Sequence, residues 1–450
     1  MAVVTTVGHG IAEWLDDRRR ASGLRTAPLP LDDLPSWRLR DGRLQHATGR
    51  FFSVVGARSH SAEPRLDGIE QPLIDQPEVG ILGFLLHRAA DGALVLAQAK
   101  AEPGNVHAVQ IGPTVQATES NYLRVHGGAA TPLLERFLRP ARPPVSDSLQ
   151  SEQGSRFLAK FNRNQVVETA DDPVEPPGAN WKWVRSEELL EALRSDFTVN
   201  TDARSVLACT DWDRLAPGGE AFARWRGRGG WRELLWRSAR GASSGIEADL
   251  CRAERTLATW RSRFRVKLER VALEALAAWG LRDGTLARRA GGDFEIVGRR
   301  VHAPGREVAD WDQPLVASLV EGEVVLVAQV REGALCFLFR ASPEVGFREG
   351  VQWGPTLQRP GGDPPAGAWG EWLGRRSDVE VLASCLQSDE GGRFDRAIAR
   401  YSVLLAPEEI DAPLDDGLWM SLALVRRLLP RPGTFTNEAR SALSVLLSDL

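Results

Sequence analysis

Three stretches of the chain, 51–55, 79–86 and 93–99, are short apolar runs bounded by turn-forming residues, and Asp91-Gly92 between the last two is a hairpin dipeptide. They read as strands. Farther on, apolar residues in 187–193 and 202–207 recur at helical spacing, so helices are expected to cover the sheet and the fold class is α+β. A longer periodic segment opens with the capping-box pattern Ser244-Gly-Ile-Glu247 and carries Ile246, Leu250, Ala253, Leu257, Trp260 and Phe264 along one helical seam. That seam needs a cover, supplied either by this chain's own domains or by a second subunit.

The same patterns occur twice. Trp37-Arg-Leu-Arg-Asp41-Gly42 returns as Trp279-Gly-Leu-Arg-Asp283-Gly284, and at the same offset Phe52, Val55, Gly56 and His60 meet Phe294, Val297, Gly298 and His302. Gln110, Gly112-Pro113-Thr114 and Gln116 then fall on Gln352, Gly354-Pro355-Thr356 and Gln358. After a short deletion, Gln150-Ser-Glu-Gln-Gly-Ser-Arg156-Phe157 meets Gln387-Ser-Asp-Glu-Gly-Gly-Arg393-Phe394. Later, Thr201-Asp-Ala-Arg-Ser205 meets Asn437-Glu-Ala-Arg-Ser441. We therefore divide the chain into a helical lead-in (1–36), a first repeat (37–211), a helical connector (212–278) and a second repeat (279–450).

Composition narrows the function classes. A net charge of -4 and a pI near 6.1 give no broad basic field, which disfavours nucleic acid as a partner. Positive charge is nearly all arginine, since Lys100, Lys160, Lys182 and Lys267 are the only lysines, and the guanidinium fork suits phosphate oxygens. Cys209, Cys251, Cys336 and Cys385 lie far apart without a metal-ligand spacing, as expected in a reducing cytoplasm. Neither an export signal nor a membrane-spanning apolar stretch is visible, nor are the phosphate-loop, dinucleotide-loop and zinc-protease motifs.

Candidate chemistry emerges where the repeats differ. Lys100, Glu102 and His107 align with Ser342, Glu344 and Glu349, so the first repeat keeps a lysine and a histidine that the second lacks. Its polar loop, with Asn121, Tyr122, Arg124 and His126, is replaced in the second repeat by a run of proline and glycine. Such a loop suits proton transfer and anion binding, or is simply exposed surface. Glu102 precedes Pro103-Gly104 at a strand end, where partial burial makes a carboxylate a better base; a role in supporting both repeats is the other reading. Arg156 and Arg393 follow glycines and suit a phosphate, or an ion pair with Glu152 or Asp389. Lys160, Asn162 and Asn164 share one strand face, whereas the second repeat has Ala397, Ala399 and Tyr401 there.

The stretches from Ala99 to Gly104, Val109 to Tyr122 and Gln150 to Phe157, continued by Phe161-Asn-Arg-Asn164, resemble the NDP-hexose 2,3-dehydratases. That resemblance implies a homodimer whose subunits each carry two Nudix-like domains. It implies dehydration of an NDP-4-keto-6-deoxy-hexose, usually the dTDP sugar, in deoxysugar biosynthesis. No cofactor and no metal are implied: the C4 ketone acidifies the C3 hydrogen, and no Nudix box is visible. Under that reading Lys100, Glu102, Tyr122 and His126 are catalytic. Thr114, Gln116, Asn121, Arg124, Gln153, Arg156, Lys160, Asn162 and Asn164 contact substrate, with Arg124 and Arg156 on the diphosphate. In the second repeat Thr356, Arg393 and Tyr401 hold a nucleotide or only support the fold. A nicotinamide-dependent 3-ketoreductase would consume the diketone product. A non-catalytic nucleotide-sugar binder and a keto-sugar epimerase or isomerase are the rival readings.

Overall fold

The computed structural model describes residues 10–89, 92–118, 130–169, 173–241, 245–304, 308–360, 379–407 and 416–450. The apolar runs form strands Ser53–Ser61, Gly80–Ala89 and Gly92–Ala101, longer than the runs themselves because hydrogen-bonded pairing continues into the polar flanks. Each half builds one small antiparallel-rich sheet and one seven-stranded mixed sheet. In the first seven-stranded sheet Phe161–Glu168 runs parallel to Gly80–Ala89; in the second, Ile398–Leu405 runs parallel to Gly322–Arg331. The α+β expectation holds. No described helix is long and apolar enough to cross a membrane.

The halves are interlocked by an exchange of strands. Arg25–Leu29, inside the expected helical lead-in, pairs with Phe294–His302 of the second half, while Val266–Val271, inside the expected helical connector, pairs with Ser53–Ser61 of the first. Both lie at sheet edges: Arg25–Leu29 has no apolar alternation and is mostly exposed, whereas Val266–Val271 does alternate over Val266-Lys-Leu268-Glu but is short, has half its side chains exposed and directly follows a helical run. The crossing also accounts for a glycine that both repeats share. A Cβ on Gly56 would stand 2.7 Å from the Val271 carbonyl oxygen, and one on Gly298 would collide with that of Leu29.

Two helices join the repeats at their centre. Thr201–Cys209 and Asn437–Leu446 lie against each other, capped by the side chains of Asn200 and Thr436, and Thr201 Oγ1 donates to Asn437 Oδ1 at 3.1 Å. Their buried arginines reach across: Arg204 donates to the Ser388 carbonyl at 2.9 Å and Arg440 to the Ser151 carbonyl at 2.6 Å. Phe157 and Phe394, equivalent in the two repeats, meet with ring centroids 5.8 Å apart. The helix Ile246–Arg263 buries Leu250, Ala253, Leu257 and Trp260 in the main core of its own chain, which settles how the seam is covered. Ser244 of the expected capping box lies outside the described residues, as does Asp91 of the hairpin dipeptide.

Candidate functional site

A cleft of about 410 Å³ opens where the first half's strand ends face the second half. Lys100 and Glu102 enter it from the end of Gly92–Ala101, where the chain turns at Pro103-Gly104. Gln116 joins them: its amide donates to Glu102 Oε1 at 2.8 Å, and its backbone carbonyl accepts from Lys100 Nζ at 3.2 Å. Asn200 in turn donates to Gln116 Oε1 at 3.1 Å, so the cap of the central helix orients this amide. Side chains held by successive hydrogen bonds keep the lysine and the carboxylate at fixed positions.

The floor comes from the polar face that follows Gln150-Ser-Glu152. Asn162 donates to Glu152 Oε1 at 2.7 Å and accepts from the Gly80 N–H at 3.1 Å, while Asn437 of the second half donates to Glu152 Oε2 at 3.1 Å. Lys160 donates to the Glu78 carbonyl. Burial lowers the Lys160 pKa against the attraction of Glu152 and Glu78, and burial raises that of Glu152 against the opposing pull of Arg440. Asp202, in the first turn of the central helix, is 4% exposed and also lines the cleft. Burial, followed by the charges of Glu390, Glu152 and Glu102, raises its pKa well above the usual aspartate value.

The opposite wall belongs to the second half: Trp311, Gln313, Glu390, Gly392 and Arg393. The turn that carries Arg393 docks on the first half, with Gly104 N–H donating to the Gly391 carbonyl at 2.8 Å, so the side chain points into its neighbour's cleft. There the Arg393 guanidinium lies 4.2 Å from the Phe52 ring centroid and donates to Gln76 Oε1 at 3.1 Å. The reciprocal docking, Gly346 N–H to the Gly154 carbonyl at 2.8 Å, sends Arg156 the other way. Arg156 lies 3.9 Å from the Phe294 ring and forms an ion pair with Asp293 at 2.6 Å. The docking therefore places Arg393, and not Arg156, at the first repeat's cleft, and pairs Arg156 with Asp293 rather than with Glu152.

Of the other candidates, Lys100, Glu102, Gln116, Lys160 and Asn162 are gathered at the cleft, and Asn164, Gln153, Thr114, Thr356 and Tyr401 lie outside its lining. Asn164 sits on the same strand face as Asn162 but under the central helix, donating to Ser205 Oγ at 2.8 Å. Gln153 donates to Asp389 Oδ1 at 3.0 Å. Thr114 and Thr356 spend their hydroxyls on strand backbone, accepting from the Leu85 and Val327 N–H groups at 2.9 Å and donating to the Leu96 and Leu338 carbonyls. Tyr401 is buried against Arg204 and raised well above an ordinary phenol by burial first. Asn121, Tyr122, Arg124 and His126 lie outside the described residues. Ala117 and Thr118, which lead toward them, line the cleft.

Sequence reasoning missed Asp202, Glu390 and Trp311. Asp202 has another acid, Glu438, at the matching place in the second repeat, so a search for differences between the repeats passed over it. Glu390 does differ, standing where the first repeat has Gln153, and that exchange of an amide for an acid was the signal available.

The sequence profile of the NDP-hexose 2,3-dehydratase family matches residues 9–210 and again 252–446. The chain belongs to that family. It is 35% identical over 448 residues to the dTDP-4-dehydro-6-deoxy-alpha-D-glucopyranose 2,3-dehydratase of Saccharopolyspora spinosa, covering 97% of this chain and 90% of that protein. It is 36% identical over 454 residues to the enzyme of the same name from Streptomyces violaceoruber, with 97% and 96% coverage. For the enzyme of that name from Amycolatopsis orientalis the values are 33% over 459 residues, with 97% and 89% coverage. The doubled match agrees with the duplication read from the letters and with the paired sheets.

Proposed function

We propose that this protein removes water across C2 and C3 of a dTDP-4-keto-6-deoxy-hexose, giving the 3,4-diketo-2,6-dideoxy sugar used in deoxysugar biosynthesis. The observation that carries the proposal is the Lys100–Gln116–Glu102 network at the mouth of a cleft closed by both halves. In this reading a base, Glu102 or one of Tyr122 and His126, takes the C3 proton, which the neighbouring ketone makes acidic. Lys100 and Asn162 face the charge that builds on the C4 oxygen. Arg393 takes the diphosphate in place of Arg156, with Arg124, and the aromatic wall of Trp37, Phe51 and Trp311 suits the pyrimidine. Among the described residues no three His, Cys, Asp or Glu side chains are placed to hold a metal.

The reading extends to the whole molecule: two Nudix-like domains in each subunit of a cytoplasmic homodimer, the first catalytic, and a nicotinamide-dependent 3-ketoreductase as the consumer of the reactive product. Incubation with dTDP-4-keto-6-deoxyglucose followed by mass spectrometry tests it. Loss of one water, with solvent deuterium entering the sugar, is expected; unchanged substrate mass would leave a binding protein, and deuterium exchange without water loss an epimerase or isomerase.

A further inference from the structure

Elimination of a hydroxyl needs two proton transfers at opposite ends of one bond system, and the roles proposed above for Glu102 and Lys100 cover only the C3–C4 end. A hydroxide is a poor leaving group, so a proton donor is required at the C2 oxygen. Asp202 meets the physical demands on such a group. It is fixed in the first turn of the central helix, whose cap Asn200 also orients Gln116. It is 4% exposed, lines the cleft, and its carboxyl makes no hydrogen bond or ion pair among the described residues. A buried carboxyl in that state is normally matched with a partner. Here the cleft itself is the direction left to it.

We propose that Asp202 is the acid that protonates the departing C2 hydroxyl. The inference rests on the dehydratase reading. The base takes the C3 proton and the C3–H electrons pass into an enolate on C4; as the enolate collapses, the C2–O bond breaks toward oxygen, which takes the Asp202 proton and leaves as water. The C2=C3 enol then tautomerises, the base returning its proton to C2 while the O3 proton restores Asp202, so that only water is lost. The groups facing Asp202 keep it protonated for this step. Burial is the main opposition to a negative charge on it, and Glu390, Glu152 and Glu102 repel one further, against Lys100; a helix N-terminus by itself would favour the anion. Lys160, Arg393, Asp310, Asp312 and His46 make up the rest of the charged and titratable lining. The second half carries Glu438 at the equivalent position, packed near Glu344 and without the lysine.

The two half-reactions can be read separately in the full-length protein. With dTDP-4-keto-6-deoxyglucose in deuterium oxide, Asp202→Asn should still exchange the C3 hydrogen while water release falls on the order of 100-fold or more at a KM within about threefold of wild type. The alkaline decline of kcat should flatten in the variant. A 2-deoxy-2-fluoro analogue expels fluoride with little need of a proton, so Asp202→Asn should eliminate fluoride at nearly the wild-type rate. Water release within about threefold of wild type, or parallel loss of exchange, water release and fluoride release in a variant that melts like wild type, would overturn the assignment. Should Asp202→Asn fail to fold, Asp202→Ser supplies the same comparison. A wild-type protein that neither exchanges nor dehydrates the sugar refutes the dehydratase reading instead.

Discussion

Replacing Arg393 by glutamine should weaken substrate binding although the residue belongs to the half expected to be silent. Of the five N–H donors on a guanidinium, the structure spends one on Gln76 Oε1 at 3.1 Å and one on the Gly392 carbonyl at 2.8 Å, leaving three for a ligand. Among the described residues no carboxylate lies within ion-pair distance of it, whereas its twin Arg156 is matched by Asp293 at 2.6 Å. Even one charge-assisted hydrogen bond to a diphosphate contributes about 1.5–3 kcal/mol in net terms, or roughly 10- to 150-fold in affinity. Steady-state kinetics on the keto-sugar should show KM raised by about that factor with kcat nearly unchanged, and inhibition by dTDP weakened in parallel. Arg393→Lys should recover only part, because an ammonium keeps the charge and loses the fork. Arg156→Gln should leave KM alone and lower stability by about 1 kcal/mol through the lost pair and ring contact. If Arg393→Gln leaves KM unchanged, or Arg156→Gln raises it as much, the reciprocal docking of the repeats does not decide which arginine meets substrate.

Gly104→Ala should destabilise the protein by about 3 kcal/mol or more, because the new Cβ overlaps the Phe394 carbonyl oxygen across the interface; a urea midpoint within error of wild type would contradict this. The first half expressed as residues 1–241 lacks Val266–Val271 at the edge of Ser53–Ser61 and should be insoluble alone, and co-expression with residues 245–450 should restore a soluble, co-eluting complex on size exclusion. Burial and the charge of Glu438 push Glu344 up to about 8, and burial with the same glutamate pushes Asp389 up to about 7, both above their unfolded values. The unfolded chain therefore gives up these protons first, so stability should fall as pH rises from about 5 to 8, on the order of 1 kcal/mol per unit, then level off. In thermal melts Glu344→Gln, which keeps an acceptor for the Ser155 N–H, should flatten that decline; an equal slope in both proteins would exclude Glu344 as its source.

Much of this architecture was legible in the letters because it depends on local period and on self-comparison. Apolar runs between turn residues marked Ser53–Ser61 and Gly80–Ala89, the four-and-three spacing marked Ile246–Arg263, and the paired motifs revealed the duplication before any contact was known. Lys100, Glu102, Gln116, Lys160 and Asn162 also emerged from sequence and meet at the cleft. The tertiary structure alone decided which strand completes which sheet, since Arg25–Leu29 and Val266–Val271 are short edge strands and nothing within either stretch names the distant strand it pairs with. It alone sent Arg393 into the first cleft and Arg156 out of it, because that choice follows from two turns docking across the repeats. Asp202 acquired its character in the same way: nothing in Thr201-Asp-Ala says that the carboxyl will be enclosed by three acids drawn from distant parts of the chain. Local sequence sets backbone period and hydrogen-bonding capacity, whereas burial and electric field at a site are sums over residues that only folding brings near.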